Sequence, residues 1–86
     1  MDTPKPSLLI WDFYGRTARG TANHFARHLE DFLARHSMAA ENTSLVSEHT
    51  GHCALQVTMN NGDDAAAVAR TLKASPRSHL PSLNAP

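Results

Sequence analysis

Apolar residues recur along this chain with two different periods, and each change of period marks a new element. Residues 7–14 read SLLIWDFY, a short run of branched and aromatic side chains between Pro6 and Gly15. Its length and β-prone content predict a strand. Alternation sends Leu8 and Ile10 to one face and Leu9, Trp11 and Phe13 to the other. Both faces are apolar, so this strand should be central or covered on both sides. The period then becomes helical. Ala22, Phe25, Leu29, Phe32, Leu33 and His36 recur at three and four, while Asn23, Arg27, Glu30, Asp31 and Ala34 fall opposite. This predicts an amphipathic helix to about His36, with Thr17 or Thr21 as its N-cap.

Residues 43–48 and 52–59 return to strand character around His49, Thr50, Gly51 and His52. Cys53, Leu55, Val57 and Met59 alternate with His52, Ala54, Gln56 and Thr58, the period-2 pattern of a half-buried strand. Gly51 can supply the positive φ of a tight hairpin. A two-residue loop of Thr50 and Gly51 would set Val46 opposite Leu55 and His49 opposite His52. After Asn60, Asn61 and Gly62, a second helix should begin at Asp63 or Asp64 and end near Ser75, ahead of Pro76. Its apolar stripe is Ala65, Val68, Ala69 and Leu72.

The predicted class is α+β with the order βαββα. A right-handed crossover and a hairpin give a three-stranded antiparallel sheet, the third strand between the other two, with two helices on one face. This resembles the ferredoxin-like element order lacking the last strand, and a fold that hosts many functions transfers none. Residues 1–6 read as a flexible N-terminus, 7–75 as a single domain and 76–86 as a flexible C-terminal tail without periodicity.

A chain of 86 residues fits one small domain, for which association is one way to gain buried area. The expected partner is a second copy, through the uncovered sheet face or the edge that a missing fourth strand leaves open beside the first. Leu9, Trp11, Phe13, Leu45 and Ala54 are the expected contact residues. A tail folded over that face, with Leu80 and Leu83 as plugs, is the alternative cover. Eight basic residues balance eight acidic ones, which argues against nucleic acid as a partner. No apolar run approaches the length of a membrane span, and no signal-like h-region is present, so a soluble, cytoplasmic protein is expected.

Candidate chemistry is sparse, and no cofactor or catalytic signature is found. The lone Cys53 can form no intrachain disulfide. Six histidines include two pairs: His24 and His28, four apart on the first helix, and His49 and His52 at the hairpin. Spacing of i,i+4 suits metal chelation, but the alternation points His52 and Cys53 to opposite sides of the sheet. Asp12 is the one charge within the first strand. It could serve as a base with His24 or His28, or cap the following turn or helix. The segment GRTARG lacks the phosphate-loop ending. Asp12, Tyr14, Arg16, Thr17 and Arg19 around that helix start still form the best candidate for an anion or small-ligand site. The sequence therefore supports a small homodimeric interaction or ligand-binding module without catalytic activity. A histidine-based divalent-metal protein is the alternative.

Overall fold

In the computed structural model, residues 7–47 and 49–79 are described. The expected N-terminal segment 1–6 and the tail beyond residue 79, with Leu80 and Leu83, lie outside them. The elements are β1 (Ser7–Tyr14), α1 (Ala18–Arg35), β2 (Asn42–Val46), β3 (His52–Met59) and α2 (Gly62–Leu72). The strands form one antiparallel sheet in the order β1-β3-β2, as the βαββα pattern predicts.

Both helices pack on one side of this sheet. Leu29 and Leu33 of α1 and Ala65 and Val68 of α2 meet Leu9, Trp11, Leu55, Val57 and Met59 in a single core. Leu9, Leu29, Leu55, Val57 and Met59 are fully enclosed, and each contributes about 1.5–3 kcal/mol by leaving water. At the other end Ala18 and Ala22 lie against Cys53, where small side chains let the first turns of α1 approach β3 closely. The Trp11 indole N–H donates to the Leu72 carbonyl at 2.9 Å, which satisfies a buried donor and one of the end carbonyls of α2.

Helix ends follow local chemistry. Asn61 caps α2, its Oδ1 accepting from the Asp64 N–H at 3.0 Å, while Asp63 and Asp64 occupy the first turn. Lys73 adopts a left-handed φ of 55° and stops α2 earlier than Pro76 alone would require.

Three expectations are corrected. First, Leu9, Trp11, Phe13 and Leu45 do not lie on the uncovered face. Leu9 and Trp11 belong to the core under the helices, and Phe13 and Leu45 pack against it. The register sets Leu9 opposite Val57 and Trp11 opposite Leu55. The larger, aromatic set therefore takes the helix side, and Leu8, Ile10 and Asp12 turn to the reverse. Ala54 does lie on the reverse face but has no exposed surface. Second, the hairpin pairs Leu45 with Leu55 and Val46 with Ala54, one residue away from the two-residue-loop register. The turn of Thr50 and Gly51 is as expected, the His52 N–H donating to the His49 carbonyl at 3.1 Å; one extra residue enters between Val46 and His49, and a slip of one exchanges the faces of Leu45 and Val46.

Third, residues 76–79 are not detached from the domain, and the outer edge of β1 is not open. Beyond Lys73 the chain returns along β1. The Ser75 N–H donates to the Ile10 carbonyl at 2.6 Å, and Leu8 and His79 exchange backbone bonds of 3.0 and 2.7 Å. Between them the Ile10 N–H donates to the Ser78 hydroxyl at 2.8 Å. A short antiparallel segment thus occupies the place of a fourth strand.

Candidate functional site

Asp12 gathers the densest polar cluster of the fold. Its position in β1 places it on the reverse face, directly opposite Ala54 and diagonal to His52, which pairs with Tyr14. The His52 Nε2 lies 2.8 Å from Asp12 Oδ1, and the Ser75 hydroxyl donates to Oδ2 at 2.7 Å. Arg77 reaches back from the returning segment and grips both oxygens, with Nε donating to Oδ2 at 3.0 Å and Nη2 to Oδ1. Hydrogen bonds from Arg77 hold the Asp12 carboxyl well below the usual carboxylate range; Ser75 and His52 add to this, and burial opposes it. The carboxylate therefore stays charged and fastens β1, β3 and the returning segment together.

This cluster is not arranged as a hydrolytic triad. In such a triad the histidine stands between the hydroxyl and the carboxylate. Here Ser75 and His52 both address Asp12, one on each oxygen. The His52 side chain is 2% exposed, so neither ring nitrogen is presented to a substrate. His24 and His28 are not the partners of Asp12, and Asp12 caps neither the turn nor α1.

A second feature lies beyond the end of β1. The Gly15 N–H donates to the Gly51 carbonyl at 2.8 Å, tying the turn after β1 to the hairpin tip. Gly15 and Gly51 have φ of 104° and 79°, a region that favours glycine at both turns. Between turn and hairpin lies an open cleft of about 320 Å³ lined by Arg16, Arg19, Ser47, His49, Thr50 and His52, among others. None of the described lining residues is acidic. Thr17 occupies the N-cap position of α1 without a side-chain cap bond, and the first turn carries no carboxylate. The amides of that turn therefore look toward an end of the helix with positive character.

The five residues expected around this turn are thus divided. Arg16 and Arg19 line the cleft, and Thr17 stands at the helix start. Asp12 is committed to the clasp on the reverse face. Tyr14 is the exposed large hydrophobic residue of the described chain, and its ring lies tilted at 5.0 Å from His52, which in turn stacks at 5.0 Å on His49. Ser75 and Arg77 had no sequence signal as site residues, because they fall where periodicity ends. The lone charge within β1 was a signal that some partner must exist.

The four candidate metal-ligating histidines do not converge. Among the described residues, no group of three or more His, Cys, Asp or Glu is placed to hold a metal ion. His49 and His52 stack face to face at the hairpin. Cys53 is buried under α1, on the side of β3 away from His52. His24 and His28 stand together on the exposed side of α1 with their Nε2 atoms 3.0 Å apart.

Among the described residues, no helix is long and apolar enough to cross a membrane. Comparison with protein-family models, with curated proteins and with solved structures gave no match.

Proposed function

We propose that this domain is a non-catalytic binding module that takes a small anionic ligand in the cleft between the start of α1 and the β2–β3 hairpin. The observation that carries this reading is the charge of the cleft: Arg16 and Arg19 at the uncapped start of α1, with no acidic residue among the described lining. An anion there would gain from the helix dipole, from open backbone amides and from two guanidinium groups. The overall balance of eight basic and eight acidic residues favours one small anion over an extended polyanion.

Inorganic phosphate titrated against the backbone amide spectrum tests this. The amides of Arg16, Thr17, Arg19 and Gly20 should shift together and saturate, and the Arg16→Ala/Arg19→Ala variant should lose the response. Amides that stay in place across the titration, or shifts that persist in the double variant, would remove the proposal.

Self-association is the second reading, moved to a different surface from the one the sequence suggested. It is supported by the outer edge of β2. That strand lies at the end of the sheet order and reads NTSLV, with no charge and no proline to discourage pairing. Sedimentation velocity across concentration tests it, and Leu45→Lys or Ser44→Pro should abolish any dimer found. A monomer at all concentrations would exclude it.

A further inference from the structure

We propose that His24 and His28 form a two-nitrogen chelate for a late first-row divalent ion, copper(II) or nickel(II), on the solvent side of α1. This site is independent of the anion cleft. The residues lie four apart within the 18-residue helix Ala18–Arg35, so they share one side of it. Ala22, Leu29 and Leu33 of the same helix are buried against the sheet, which fixes the backbone carrying the pair. Both histidines are exposed and open to an incoming ion.

The two Nε2 atoms already meet at hydrogen-bond distance, and an ion would replace the single proton between them. The Nε2 atoms are 3.0 Å apart and the ring centroids 4.5 Å apart. A metal at about 2.05 Å from each nitrogen would see them at about 94°, with the ring centroids about 4.7 Å apart. The spacing therefore lets both lone pairs reach one ion with little movement of either side chain. An angle near a right angle suits tetragonal copper(II) or nickel(II), and copper also stands highest in intrinsic affinity for nitrogen ligands. No third protein ligand stands nearby among the described residues, so water completes the coordination.

The test is titration of the full chain with copper(II) and then nickel(II), followed by calorimetry and by paramagnetic broadening of histidine ring signals. The expected result is one ion per chain, with broadening centred on His24 and His28. Either His24→Ala or His28→Ala should weaken binding about a hundredfold, because the second ligand then no longer acts at the effective concentration set by the helix. His36→Ala and His49→Ala should bind as the parent does. Chelation across one turn should also raise the thermal stability of α1 seen by circular dichroism in the parent chain and not in either single variant. Broadening centred on other histidines or on the chain's amino terminus would overturn the proposal, as would unchanged affinity in the His24→Ala/His28→Ala variant. Zinc binding more tightly than copper would overturn the assignment of ion class.

Discussion

Replacing Asp12 with alanine removes the acceptor on which His52, Ser75 and Arg77 converge. The His52 bond is the most enclosed, with side chains 2% and 9% exposed, and a buried bond to a charged group contributes about 1.5–3 kcal/mol. The Ser75 bond adds about 1 kcal/mol. Arg77 is 42% exposed, so solvent screening reduces its share to about 0.5–1 kcal/mol. Asp12→Ala should therefore destabilise the domain by about 3–5 kcal/mol, the range found when one member of a buried pair is removed. Arg77→Ala should cost only about 0.5–1 kcal/mol. At about 4–8 °C per kcal/mol for a domain this size, the first substitution lowers Tm by roughly 12 °C or more and the second by a few degrees. Urea unfolding followed by circular dichroism gives both values. Amide exchange at Leu8, Ser75 and His79 should accelerate in Asp12→Ala, since their bonds hold the returning segment to β1. An Asp12→Ala variant within 1 kcal/mol of the parent, or an Arg77→Ala variant equally unstable, would refute the view that this carboxylate is the centre of the clasp.

The remaining predictions concern acid, the core and the turns. The folded Asp12 carboxyl lies below its unfolded value of about 3.9, so its stabilisation is full above that range and is lost as pH falls beneath it. The stability gap between the parent and Asp12→Ala, read from urea midpoints, should accordingly narrow between about pH 5 and pH 2. Trp11→Phe keeps an aromatic ring near Phe25 but deletes the bond to the Leu72 carbonyl, and should cost about 1–2 kcal/mol in the same assay. Alanine at Gly51 and at Gly20 should act with opposite signs, though an added Cβ meets nothing within 4 Å at either. Gly51 has φ of +79°, so its alanine costs about 1 kcal/mol, whereas Gly20 lies in α1 and gains up to about 1 kcal/mol. Thermal melts of the two variants check this.

Element order and strand order were legible because each element carries a single clear period. Cys53, Leu55, Val57 and Met59 alternate against a polar set, and that alternation correctly names the side of β3 that the helices cover. The sides of β1 were not legible, because Leu8 and Ile10 are as apolar as Leu9 and Trp11. Only pairing with β3 distinguishes them. The side of Leu45 was lost for a related reason: one extra residue between Val46 and the Thr50–Gly51 turn reverses it. The candidate site was visible in part. GRTARG marks a polar turn before a helix, and the hairpin histidines lie where their spacing suggests. That the two meet in one cleft depends on the Gly15–Gly51 bond between distant segments. The clasp was hidden because its components are 40 to 65 residues apart and act through hydroxyl, guanidinium and backbone groups, which leave no hydrophobic rhythm.

The reciprocal bonds between Leu8 and His79 bring the beginning of β1 and the last described residue side by side. A domain whose extremities meet in this way can be grafted into a surface loop of another protein without stretching its host. It can equally be recut: a short linker joining the two, with the chain opened instead at the hairpin tip near Thr50, would leave the packed layers in their present arrangement while moving the break to the opposite pole.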